Sequence, residues 1–259
     1  MRTTLLIFAI VLSSAECLRA DLILSPTFVD AESQTWDSAK KGVVNQAISD
    51  WQGVFSGVNG GSRTIDFDVT FTQAGASYLG QMALGFSGSG EILPWSSGTS
   101  AVLSINADYF DGTNGVVNQL WFDPTPTTAV DQPFSDWDAL SVARHEIGHL
   151  LGFNDFYEVD GASPWADLIT ANQFDPGGLD VTMNTGDAAH VAQSLSMLMS
   201  PALSNGVRRN ISGTEAQMLS LAYGYDLVSV PEPAFLLYLS SLLPLAFLTR
   251  RRIDNGRLV

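Results

Sequence analysis

The stretch "ARHEIGHLLGFND", Ala143 to Asp155, holds two of the chain's three histidines four positions apart, with a glutamate beside the first. On a helix, His145 and His149 project from one face about a turn apart, so their imidazoles can share one ion. Glu146 then stands within reach of a water on that ion without binding the ion itself. Leu140, Ala143, Ile147 and Leu151 fall at helical spacing and give this helix an apolar stripe to bury. Ser135 or Asp136 is the expected N-cap.

These residue types suit zinc chemistry. Neutral imidazoles hold zinc without cancelling its charge, and an open fourth position lets a bound water fall to a pKa of about 7. Glu146 is the candidate base that takes the water's proton and returns it to a leaving amine. Two histidines are one ligand short of a catalytic site. Gly152 follows His149 by three residues and can turn the chain out of the helix. Three residues further lies Asp155, a carboxylate that zinc accepts. Two rivals for the third place lie downstream, His190 in "DAAHVAQ" and Glu215. Glu215 already has a structural role, because Ser212 and Glu215 fit a capping box at the start of a last helix carrying Ala216, Leu219 and Tyr223.

"HEIGHLLGFND" resembles the metzincin metallopeptidase motif H-E-x-x-H-x-x-G-x-x-H, matching at His145, Glu146, His149 and Gly152 and departing at Asp155. Metzincin-like peptidases of the snapalysin type use aspartate at that place, so the resemblance implies a ligand set of His145, His149 and Asp155. It also implies a methionine turn beneath the metal, for which Met199, before Ser200-Pro201, is the choice and Met197 the runner-up. The implied fold is α+β and zincin-like: a small mixed sheet, an active-site helix, an irregular C-terminal subdomain and a final helix. "LSINADYF", residues 103 to 110, would match the edge strand along which that fold lays its peptide substrate.

Upstream of the motif, Val44, Ala47, Ile48, Trp51 and Phe55 predict an amphipathic helix within Trp36 to Phe55. Ile65, Phe67, Val69 and Phe71 then alternate with Asp66, Asp68, Thr70 and Thr72, as in a half-buried strand. Gly85 to Ser100 reads as loop, "LSINADYF" as strand, and "NQLWFDPTPTT" as a short strand closed by prolines. Residues 156 to 195 are rich in Asp, Gly and Asn and show little periodicity, which predicts an irregular functional segment.

Both ends read as addresses. Residues 1 to 20 pair Arg2 with the apolar "LLIFAIVLSSA" and predict a secretory signal peptide cut after Ala15 or Ala20. Residues 229 to 259 contain Val230-Pro231-Glu232-Pro233, an apolar run and the cluster Arg250 to Arg252, and this order resembles a PEP-CTERM sorting signal. The resemblance implies an exosortase-type sorting enzyme as partner, transient membrane association through the tail, and a bacterial envelope or extracellular destination. Between them, residues 21 to 228 make one domain-sized unit, expected to be the metallopeptidase domain.

That unit carries 6 Lys and Arg against 24 Asp and Glu, a net of −18. Such a balance argues against nucleic acid or anionic lipid as partner and suits an extracellular domain, with calcium as a second candidate cation. The single cysteine, Cys17, lies outside it, so the unit forms no internal disulfide and depends on core packing or metal. The expected function is an exported zinc endopeptidase acting on a protein or peptide substrate. The competing reading is a non-catalytic envelope or matrix protein with a structural zinc clip, against which the free carboxylate of Glu146 tells. A third, a non-peptidase hydrolase using the same zinc water, has no residue in its favour.

Overall fold

Period-two burial builds the main layer. A computed structural model describes residues 21–75, 77–110, 119–128 and 132–228; the expected signal peptide and sorting tail lie outside the described residues. The chain runs β1 (Leu22–Phe28), α1 (Ser38–Val54), β2 (Phe55–Val58), β3 (Arg63–Thr72), β4 (Gly80–Phe86) and β5 (Thr99–Asn106). The short parallel pair β6 (Leu120–Trp121) and β7 (Trp137–Asp138) then leads into α2 (Ala139–Leu151). Next come β8 (Ile169–Thr170), β9 (Gln173–Phe174), β10 (Val181–Asn184) and β11 (Asp187–Val191), followed by α3 (Gly213–Tyr223) and β12 (Tyr225–Leu227). The architecture is mixed α+β.

The main sheet has the order β1-β3-β5-β4, with β1 and β5 parallel to β3 and β4 antiparallel to β5. Along β3, Ile65, Phe67, Val69 and Phe71 are buried while Asp66 and Asp68 face water, as the alternation predicts. Helix α1 begins at Asp37, whose side chain accepts the Lys40 amide, and it buries Val44, Ala47, Ile48 and Trp51. It packs on α2 through polar ties as well as apolar ones. The Trp51 indole donates to the Arg144 carbonyl at 2.9 Å, and Arg144 pairs with Asp50 at 2.5 Å.

Three expectations are corrected. The first half of "LSINADYF" lies in β5, which is interior, and the sheet's edges are β1 and β4. Strand β4 carries an alternation of Met82, Leu84 and Phe86 that Gly80 and Gly85 dilute. The cap of α2 is Asp138, not Ser135 or Asp136: its carboxylate accepts the Ser141 amide at 3.0 Å, whereas Asp136 accepts from the amide of Gln119 and the hydroxyl of Ser135. The segment from 156 to 195 is not irregular throughout, since β8 to β11 form an antiparallel four-stranded sheet in the order β11-β10-β9-β8. These strands are too short for a periodic signal.

Helix α3 has the predicted capping box, with Ser212 and Glu215 bonded reciprocally. Among the described residues no helix is long and apolar enough to cross a membrane.

Candidate metal centre

Helix α2 presents His145 and His149 one turn apart, and the hairpin of β10 and β11 brings His190 up to them. The Nε2 atoms of His145 and His190 lie 3.2 Å apart, those of His145 and His149 3.1 Å apart, and the three ligand atoms all fall within 4.8 Å of one another. Each Nδ1 already faces an acceptor. For His145 it is the Leu198 carbonyl at 2.8 Å, for His149 the Phe153 carbonyl at 2.6 Å, and for His190 the Asp187 carboxylate at 2.7 Å.

An acceptor at Nδ1 puts the ring proton there, which leaves the Nε2 lone pair free. Three such lone pairs then converge on one point, an arrangement that repels itself unless a proton or a cation sits between them. Two zinc–nitrogen bonds of 2.0–2.1 Å at a tetrahedral angle separate their nitrogens by about 3.3 Å, close to the two distances found. The residues fit a divalent cation with a taste for imidazole. Which metal it is does not follow from the donors alone, since zinc, copper, iron and nickel all accept imidazole.

Burial sets the electrostatics. His145 is pushed well below the ordinary histidine range by desolvation, with the neighbouring His149 adding to it. Desolvation likewise lowers His149 to about 4, opposed by its bond to the Phe153 carbonyl. Both rings are therefore neutral at neutral pH, the form a metal requires. Glu146 is raised to about 8 by burial, opposed by a backbone hydrogen bond from Met82 of β4. A Cβ at Gly80 would lie 2.7 Å from Val142 Cγ1 and 3.2 Å from Glu146 Cγ, so β4 passes this close to α2 only because Gly80 has no side chain.

Of the residues singled out from sequence, the structure brings together His145, His149 and His190, with Glu146 beside them in one groove. It leaves Asp155, the expected third ligand, solvent-exposed and outside this group. The reason is local. Gly152 does take a positive φ of 132° and end α2, but the chain then folds back tightly. The Phe153 carbonyl turns to His149 Nδ1, and the Asn154 side chain donates to the His149 carbonyl at 2.6 Å. The turn after the helix therefore orients the His149 ring and leaves Asp155 facing solvent. Tyr223 closes the same corner: a Cβ at Gly152 would fall 2.2 Å from its ring, and its hydroxyl donates to the Gly152 carbonyl.

Met199 is fully buried beneath α2, its sulfur where a Cβ on Gly148 would come within 2.5 Å. Met197, the runner-up, is only half-buried. The Met199 turn ties the site's parts together. The Met199 amide donates to Glu215 at 2.7 Å, its carbonyl accepts from Val191 of β11, and the preceding Leu198 carbonyl orients His145. Glu215 is fully buried and spends both carboxylate oxygens on Met199 and Ser212, so it acts as a cap and brace. Sequence reasoning passed over Asp187, whose one signal was its place three residues before His190.

A groove of about 600 Å³ opens onto the three histidines and Glu146. It is bordered by Gly80, Met82 and Leu84 of β4 and by Tyr109, Trp137 and Leu203. Neither a protein-family model nor a curated protein matches the chain.

Proposed function

We propose that the chain is an exported zinc-dependent endopeptidase, metzincin-like in fold, whose metal is held by His145, His149 and His190. One observation carries the reading: three Nε2 lone pairs aimed at one point, with an unligated buried carboxylate beside them, in a groove bordered by an open strand edge. A structural clip has four closing protein ligands and no use for that carboxylate. Among the described residues the grouping contains three side chains.

A zinc ion in this place supplies Lewis acidity toward a carbonyl and acidifies a water to a pKa of about 7. The chain's own residues do the rest. Leu198, Phe153 and Asp187 fix each imidazole by its Nδ1 proton, so the Nε2 atoms point inward before any ion arrives. Glu146 would accept a proton at its carboxylate and pass it to the departing amine; burial holds it near 8 in the metal-free site, and a divalent cation beside it would lower that value and favour the carboxylate form the task needs. The edge of β4 would offer backbone groups to an extended peptide, and Met82, Leu84, Trp137 and Leu203 would give its side chains apolar surface to rest on. Secretion, and tail processing by an exosortase-type enzyme, belong to the same proposal and rest on the two terminal segments.

Purified protein should contain about one zinc per chain and cleave an unfolded protein substrate, lose activity to a chelator and recover it with zinc. Glu146→Gln should keep the metal and lose activity by a factor of about 100 to 10,000. Full activity in that variant would overturn the mechanism.

A further inference from the structure

The third histidine differs from the other two in what holds it. His145 and His149 are oriented by backbone carbonyls, from Leu198 and Phe153, whereas His190 is oriented by a side chain, the carboxylate of Asp187. The Asp187 carboxylate is itself held in place. Its Oδ1 accepts the Ala189 amide at 3.1 Å, within its own strand, and its Oδ2 faces His190 Nδ1 at 2.7 Å. Strand β11, which carries both residues, is pinned at two further points, where the Val191 amide donates to Met199 and, just past the strand, the Ala192 amide donates to Thr182 of β10.

On the three-histidine reading of the metal site, we propose that Asp187 is the positioning residue that makes His190 a ligand. It holds the ring in the tautomer with its proton on Nδ1 and turns Nε2 toward the helix. The ring has alternatives. A partly exposed histidine on a hairpin has two tautomers and two ring orientations open to it, and only one combination aims a lone pair at the point shared by His145 and His149. A carboxylate on the far nitrogen selects that combination and raises the basicity of the near one. The backbone bond to Ala189 keeps the carboxylate from following the ring elsewhere.

The test uses the metal-free protein and three variants, Asp187→Ala, Asp187→Asn and Asp180→Asn. Zinc affinity is read by competition with a chromophoric chelator, the cobalt(II) form by its visible spectrum, and the His190 tautomer in the apo state by its ring ¹⁵N shifts. Removing an outer carboxylate of this kind typically weakens metal binding about 10- to 100-fold. Asp187→Ala should show that loss, an altered cobalt spectrum and a mixture of tautomers at His190. Asp187→Asn retains an acceptor oxygen and should lie in between, and it decides the matter if the alanine variant does not fold. Asp180→Asn removes the same charge from an exposed position just before β10 and should match wild type.

If wild type binds zinc stoichiometrically and Asp187→Ala binds it equally well with the same spectrum and tautomer, the positioning role is wrong and the three-histidine site stands. An equal loss in Asp180→Asn would reduce the effect to general charge and also overturn the inference. Absence of metal binding by wild type would overturn the three-histidine reading itself.

Discussion

At the scale of single residues, the site places groups with opposed proton demands side by side, and this fixes a pH signature for the metal-free protein. His149 has a value near 4 when folded against an ordinary 6.5 when unfolded, and His145 shifts the same way. Below pH 6.5 the unfolded chain binds these protons and the native one does not, so stability falls as pH drops from about 6.5 toward 4. Glu146 works in reverse. Its value near 8 lies above the unfolded 4.5, so between those limits the native state holds the extra proton and stability rises as pH falls. From pH 8 to 6.5 only the glutamate acts, and below 6.5 two histidines outweigh it. Chelator-treated protein should therefore be most stable near pH 6.5, with a lower urea midpoint at pH 8.5 and at pH 5. A midpoint that climbs steadily across that range would contradict the burial of these groups.

At the scale of elements, helix α2 depends on its first turn. Asp138 caps it and is almost fully buried, and Arg208 reaches both Asp138 oxygens, the buried Asp123 and the carbonyls of Pro126 and Thr128. Replacing Arg208 by methionine would leave two buried carboxylates facing each other without a cation, a loss of about 3 to 5 kcal/mol. Denaturant unfolding measures it, and Arg208→Met combined with Asp123→Leu should recover part, since one stranded charge is then gone. The sequence made α2, α1, β3 and the α3 capping box legible because each has a full period of apolar residues or a two-residue cap signature. It did not make β8 to β11 legible, because strands of two to five residues show no period. Two of the three histidines and Glu146 were legible for the same reason as the helix. His190 was readable only as a rival to Asp155, because a residue on a distant hairpin leaves no spacing behind, and how the chain leaves Gly152 is what turns Asp155 away from the histidine group.

At the scale of the whole molecule, residues 21 to 228 carry a net charge of −18, and the groove belongs to this acidic body. A field of one sign raises the encounter rate of oppositely charged ligands, and salt removes the advantage once the screening length drops to about 10 Å at 0.1 M. For the proposed peptidase, kcat/KM on a lysine-rich peptide should fall several-fold between about 10 mM and about 300 mM salt, while a neutral peptide of equal length changes little. Equal salt responses would show that the acidity serves solubility alone. The separation of 45 positions between His145 and His190 carries a last consequence. An extended polypeptide cannot close that distance on an ion, so the three imidazoles meet only in a chain that has already folded. For the proposed peptidase, the cutting edge would exist only where the fold does, and an unfolded copy would have none.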